Sequence, residues 1–366
     1  AALPLMAACL LTDEEVFLEN VPNITDVDEM KKQLESYGVR VGEDGSTRVL
    51  EAAEGETTSS PGSRDGSNMR GSFLVLGPLL ARFRKAKVYK PGGCQIGGTK
   101  GRPVDYYIDA LKQMGATTVE ENSEYVSLKA DQGLHGAQID CKHSVGATET
   151  VIMAACLAVG QTVITNAAVE PEIMDLTKML RAMGMNGKIQ ENESEKKIVI
   201  TGNRGNLNGC TQAHEIIPDR IEAGTWAIAA AMTGSSLLLK MNPKVGEKIM
   251  VPVLEKLKEA GVGVKWSSNG LEVRRPDGHI LPVDITAGPF PQFPTDLLPQ
   301  WVTFMTQANG PSELEDTIYD SRFKHVEYLK KMGAKITRSS DRKYQVHGNA
   351  KLRGTHVLAT DLRAGA

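Results

Sequence analysis

Apolar and polar positions along this chain repeat a long pattern five times. Each repeat closes a helical stretch with a glycine set among apolar residues before a strand. The closings are Tyr37-Gly38-Val39, Met114-Gly115-Ala116, Met183-Gly184-Met185, Ala260-Gly261-Val262 and Met332-Gly333-Ala334. These glycines recur 69 to 77 residues apart, and Gly is the residue expected in the left-handed conformation that ends a helix. The openings match as well, with a polar turn leading into a helix of small apolar residues. Ser144-Val145-Gly146-Ala147-Thr148 precedes Val151–Val159, Asp219–Thr225 precedes Trp226–Met232, and Pro294-Thr295-Asp296 precedes Leu297–Gln307. The second unit, from Arg70 to Gly115, is longer, with its extra length around Lys90-Pro91-Gly92-Gly93-Cys94. Short strands such as Thr162–Thr165 and Ser236–Leu239 lie between opening and closing helices. The unit therefore reads helix, strand, helix, strand, an α/β alternation rather than a sandwich.

The same count places the opening of the first unit before Ala1. Ala359-Thr360-Asp361-Leu362-Arg363-Ala364-Gly365 looks like a sixth opening, with its helix and closing glycine expected past Ala366. Six units would make two domains of three, the second incomplete. The natural break is the Asn- and Gly-rich loop Asn203–Gln212, giving a first domain over 1–217, with the cysteine loop, and a second over 218–366. Glu54–Asn68 reads as a surface loop. An incomplete second domain is expected to expose a sheet edge and apolar surface, and to be less stable than a longer version.

Composition narrows the function. The 366 residues carry 42 basic and 45 acidic side chains, a net charge of −3, so no basic footprint for nucleic acid or an anionic membrane is present. The apolar runs Phe73–Ala81 and Val151–Val159 are of core length, and Ala1–Leu11 lacks the basic leader of a signal peptide. Five cysteines (Cys9, Cys94, Cys141, Cys156 and Cys210) form no CxxC pair, which fits a reducing compartment and argues against structural zinc. Walker A, dinucleotide-binding, HExxH and GxSxG patterns are all missing from the sequence.

The repeat openings are the best candidates for chemistry. A helix N-terminus attracts anions, and Arg70, Lys142, Arg220 and Arg363 lie at or beside openings. Arginine binds phosphate and carboxylate bidentately, so a multiply anionic small substrate is expected, although the same residues also suit caps and surface ion pairs. Cys94 sits in a glycine loop among Arg82, Arg84, Lys85, Lys87, Lys90, Lys100 and Arg102. Nearby cations make a thiol reactive, but the pattern also fits an ordinary loop thiol. Cys9 and Cys156 read as packing residues, and Cys141 and Cys210 as structural. Asp296 follows the proline-stiffened approach Pro289–Thr295, where it suits either a base on a hydroxyl or a helix N-cap. Asp219 and Asp361 share that ambiguity.

Taken in order, many of these motifs resemble the UDP-N-acetylglucosamine 1-carboxyvinyltransferases, the MurA family of enolpyruvyl transferases in peptidoglycan synthesis. The resemblance covers nearly the whole chain. It runs through Leu76–Phe83, Pro91-Gly92-Gly93-Cys94, Arg102-Pro103-Val104-Asp105, Ser144–Glu149, Asn166-Ala167-Ala168, Glu170-Pro171-Glu172-Ile173, Pro218–Glu222, Phe293–Asp296, Arg322-Phe323 and Ala359–Arg363. It implies two inverse α/β domains, each of three repeated units. It also implies transfer of the enolpyruvyl group of phosphoenolpyruvate to the sugar 3-hydroxyl, with phosphate released.

Under the resemblance, Cys94 would protonate the phosphoenolpyruvate methylene and Asp296 would be the base on the sugar hydroxyl. Arg102, Pro103, Val104, Asp105 and Tyr106 would line the uridine site, with Arg102 also meeting phosphate. Lys142, His143, Ser144, Val145 and Gly146 would hold the uracil and diphosphate. Arg70 and Ile318 would touch the nucleotide sugar, and Arg363 would close around phosphoenolpyruvate. No metal, no nucleic-acid or membrane partner and no cofactor beyond phosphoenolpyruvate as co-substrate is implied, in a bacterial cytoplasm or a plastid. The chain departs from the family at Gly98-Thr99-Lys100-Gly101, an insertion, and at Pro61–Asn68, where the family has a helix. A family Lys-Asn pair would precede Ala1. The related shikimate-pathway enolpyruvyl synthase and a non-catalytic nucleotide-sugar-binding paralogue are the competing readings.

Overall fold

Each glycine-closed stretch forms the body of one small sheet, and the first sheet also takes in the strand Cys210–Glu215. The computed structural model describes residues 1–53, 55, 57–61, 69–91, 104–185, 189–202, 205–359 and 362–366. The first stretch runs α1 (Ala2–Ala7), β1 (Val16–Glu19), α2 (Thr25–Ser36), β2 (Arg40–Asp44) and β3 (Thr47–Glu51). The second has a 3-10 turn at Arg70–Val75, then α3 (Leu76–Phe83), β4 (Lys85–Tyr89), α4 (Asp105–Gln113), β5 (Thr117–Glu121) and β6 (Tyr125–Lys129). The third holds β7 (Gln138–Asp140), α5 (Val145–Cys156), β8 (Gln161–Thr165), α6 (Pro171–Ala182), β9 (Ile189–Asn192) and β10 (Lys197–Thr201), followed by β11 (Cys210–Glu215). The fourth comprises α7 (Arg220–Thr233), β12 (Ser236–Leu239), α8 (Pro243–Ile249), α9 (Val251–Glu259), β13 (Gly263–Ser267) and β14 (Gly270–Arg274). The fifth comprises β15 (Ile285–Ala287), α10 (Leu298–Met305), β16 (Ser312–Asp316), α11 (Val326–Lys331), β17 (Ile336–Arg338) and β18 (Lys343–Val346).

The five closing glycines all adopt positive φ, from 77° at Gly184 to 105° at Gly333, the helix-ending conformation expected of them. The unit differs from expectation at its end, where a hairpin replaces the single closing strand. Strand order is β7-β8-β10-β9 in the third sheet and β15-β16-β18-β17 in the fifth. In each, the first pair is parallel across a helix and the rest are antiparallel. Two of the hairpin turns carry Asp44-Gly45 and Asn269-Gly270, with Gly45 at φ 59° and Gly270 at φ 131°. Such dipeptides are a strong short-range hairpin signal.

The chain forms two compact units, Ala1–Gly93 with Pro103–Ile217, and Pro218 onward. The division falls between Ile217 and Pro218, a few residues past the loop Asn203–Gln212. Cys210 begins β11, which pairs in parallel with β1 through Val16↔Cys210 and Leu18↔His214, so that stretch belongs inside the first unit. Each unit has its own apolar core. In the first, α5 is buried from Ala147 to Cys156, as a helix surrounded by others must be. Gly77 lets α3 approach it closely, since a Cβ there would meet the Thr150 carbonyl oxygen at 2.5 Å. In the second, Trp301 packs edge-on against Phe293 and Phe304, both with centroids 5.2 Å away. Trp226, Leu238, Val357, Leu358 and Leu362 of this unit are exposed.

Candidate active site

The described candidate residues fall into two groups, one per unit. In the first unit the group forms around the start of α5. Lys142 and His143 both take left-handed backbone angles, φ 48° and 58°, which costs a residue with a side chain about 1–2 kcal/mol. A polar clamp holds them there. The Asp140 carboxylate accepts from the Lys142 N–H at 2.9 Å and from Asn166 Nδ2 at 3.1 Å. The His143 N–H donates to the Asn166 carbonyl at 2.7 Å, and Asn166 is itself left-handed at φ 45°. The two bonds to Asp140 hold its carboxyl below the usual carboxylate range. The Ser144 hydroxyl then caps α5 by accepting from the Ala147 N–H at 3.4 Å. The clamp thereby sets Lys142 two residues before the N-cap of a 12-residue helix headed by Val145 and Gly146, whose positive end suits an anion.

Val104 leads into α4, which presents exposed Asp105 and Tyr106 and turns Tyr107 into the core. The Lys142 ammonium lies 4.9 Å from the Tyr106 ring centroid, and the Arg70 guanidinium 5.9 Å from that of Tyr107. Gly146 is required by contact: a Cβ there would lie 2.0 Å from Tyr107 Oη. Arg70, Val104, Asp105, Tyr106, Lys142, His143, Ser144, Val145 and Gly146 are thus placed by one set of elements. Cys94, Arg102 and Pro103, together with the Gly98–Gly101 insertion, lie outside the described residues. So do Ser63–Asn68 and Asp361.

In the second unit Asp296 sits in a 3-10 turn, Thr295–Leu297, whose N-cap position is held by Pro294. The N-cap reading of Asp296 is thereby overturned. Its carboxylate accepts from Arg322 Nη2 at 2.9 Å and faces Arg363 Nη2 at 3.5 Å. Asp296 keeps 34% of its side chain exposed, while Arg322 is fully enclosed. Asp219, in contrast, is a helix cap, accepting from the Ile221 and Glu222 N–H groups at 2.8 and 3.0 Å. Arg220 lies over the Phe290 ring at 5.9 Å. Ile318 is 36% exposed and follows Asp316, whose carboxylate accepts from the Ile318 N–H at 2.7 Å.

Four cysteines are buried in the units' interiors. Burial pushes the thiols of Cys9, Cys141 and Cys156 up to about 12 and raises that of Cys210, so none is a nucleophile at neutral pH. Burial likewise raises Glu149, on the enclosed face of α5, to about 8. Among the described residues no group of three or more His, Cys, Asp or Glu is placed to hold a metal. None of the described helices is long and apolar enough to cross a membrane. Tyr107, Asp140 and Asp316 were not singled out from the sequence, and Thr295, Asn166 and Arg322 were visible only as motif neighbours.

A family profile described as EPSP synthase (3-phosphoshikimate 1-carboxyvinyltransferase) matches residues 1–366. The chain is 44% identical, over 100% of its own length and 84% of theirs, to proteins from Afipia carboxidovorans and Brucella ovis. Both are named UDP-N-acetylglucosamine 1-carboxyvinyltransferase. The chain belongs to that family. Solved structures agree on the fold of this carboxyvinyltransferase family member. The enolpyruvyl transferase NikO from Streptomyces tendae superposes with a TM-score of 0.84 at 21% identity, over 99% of this chain and 83% of its own. An EPSP synthase from Acinetobacter baumannii gives 0.66 at 17% identity, over 96% and 80%.

Proposed function

We propose that this chain transfers the enolpyruvyl group of phosphoenolpyruvate to the 3-hydroxyl of UDP-N-acetylglucosamine. The observation that carries the reading is full-length identity of 44% to proteins named for that reaction. The site chemistry supports it. The clamped turn at Lys142–Gly146 suits a diphosphate, through an ammonium and helix N–H groups. Asp296, partly exposed and held by two guanidiniums, suits a base for a sugar hydroxyl. The sugar oxygen bonds to C2 of phosphoenolpyruvate as its proton leaves and C3 gains a proton. The C2–O bond to phosphate then breaks, C3 loses a proton, and inorganic phosphate departs. Cys94 is the proposed donor to C3.

The reaction requires no cofactor beyond the two substrates, and it assigns the chain to peptidoglycan synthesis in the cytoplasm. The test is phosphate release from phosphoenolpyruvate, with Cys94→Ala and Asp296→Asn as comparisons. Release that needs UDP-N-acetylglucosamine and falls in both variants supports the reading. The description of the matching family profile favours 3-phosphoshikimate as a second acceptor to try. Release with that acceptor alone overturns the assignment, and sugar-nucleotide binding without turnover makes the chain a binding paralogue.

A further inference from the structure

Asp316 is fully buried, yet it reaches Ile318 directly and Asp296 through Arg322. Its Oδ1 accepts from the N–H groups of Ile318 and Tyr319 at 2.7 and 2.8 Å, which fixes the turn that exposes Ile318. Its Oδ2 accepts from the Thr295 hydroxyl and lies 3.8 Å from Arg322 Nε. The Thr295 oxygen also accepts from Arg322 Nε at 3.1 Å. One edge of the Arg322 guanidinium is therefore fixed by Thr295 and Asp316, and Nη2 reaches Asp296 at 2.9 Å. The Tyr319 ring, 5.1 Å from the guanidinium carbon, adds a further contact. From the other side, the Asp316 N–H donates to the Arg342 carbonyl at 2.9 Å, and Arg342 Nη1 donates to the Thr317 carbonyl at 2.8 Å.

A buried charge pair is costly to desolvate and an apolar replacement is often as stable, so fold stability alone does not account for this arrangement. What it supplies is geometry. An arginine gripped along one edge has little freedom at the other, and so fixes the carboxylate it holds. We propose that Asp316 is a positioning residue, acting through Thr295 and Arg322 to set the Asp296 carboxylate and through its own turn to set Ile318. The proposal rests on the reading of Asp296 as the base on the sugar hydroxyl.

The test measures phosphate release by Asp316→Asn and Thr295→Val, each alone and combined with Asp296→Asn, per folded molecule. Each single variant is expected to lower kcat about 10- to 100-fold, the scale of a misplacement near 1 Å, with KM for both substrates changed less than about threefold. In the Asp296→Asn background the further loss should shrink to less than about twofold, while urea midpoints shift equally in both backgrounds. Amide exchange gives a readout independent of turnover. Protection of Ile318 and Tyr319 should survive Asp316→Asn, whose side-chain oxygen still accepts, and be lost in Asp316→Ala. Unchanged kcat in both single variants, or an equal fold-loss in both backgrounds, overturns the assignment of Asp316 alone. Full kcat in Asp296→Asn overturns the reading of the base, and this proposal with it.

Discussion

Glu149 gives a prediction whose size follows from its place in the fold. It lies on α5, where the helix is enclosed, and is only 5% exposed. Burial is the main force raising its carboxyl from 4.5 to about 8. Glu172 and Glu170 add to the rise. The folded chain thus keeps a proton that the unfolded chain releases near pH 4.5. Below that pH both states hold the proton and the residue carries no penalty. Between pH 4.5 and 8 the folded state binds more protons, so stability falls by about 1.4 kcal/mol per pH unit. Above pH 8 the accumulated loss levels off at about 5 kcal/mol.

Glu149→Gln keeps the shape of the neutral side chain and removes the titration. Urea unfolding of both proteins from pH 4 to pH 9 should show nearly equal stability at pH 4. The variant should gain steadily to pH 8, with a constant advantage beyond. A stability difference that does not change with pH would refute the reasoning.

Three further outcomes follow from close contacts. Gly146→Ala forces a methyl into Tyr107 Oη, so it should cost about 1–3 kcal/mol in urea unfolding and raise KM for UDP-N-acetylglucosamine more than kcat changes. An unaltered KM would separate this contact from substrate binding. Asn166→Ala removes the amide that steadies Asp140 and leaves Ala at φ 45°. It should weaken sugar-nucleotide binding in calorimetry while leaving kcat at saturation nearly unchanged. Gly77→Ala sets a Cβ against the Thr150 carbonyl and should lower the unfolding midpoint by about 1–3 kcal/mol equivalent, with KM unaffected.

Repetition made much of the architecture legible. A helix that must end in a left-handed residue selects glycine, so the five closings were visible as letters and all five glycines have positive φ. The openings before α5, α7 and α10 were visible for a similar reason, since small residues permit close helix packing. The hairpins at Asp44-Gly45 and Asn269-Gly270 stand out less, because a two-residue turn is short beside the helical period of the repeat. The clamp at Lys142 and His143 was not legible, because neither residue type by itself dictates left-handed backbone. Asp140 and Asn166 impose it from 26 positions apart. Asp316 was equally hidden, as nothing local distinguishes an aspartate that organises a site from one that turns a loop. What marks it is burial, which is a property of the fold.

The pairing of β11 with β1 bears on how the protein is made. Strand β1 is complete by residue 19, but its parallel neighbour ends at residue 215. During synthesis at about 5–20 residues per second, β1 therefore waits on the order of 10–40 seconds for the partner on that edge. Until then the nascent first unit carries an open edge beside apolar Val16 and Leu18, a surface able to recruit a stray strand. Closing it demands a contact spanning nearly 200 positions, the kind that folds slowly. Chaperone dependence of this chain should accordingly be concentrated in the interval before Glu215 emerges.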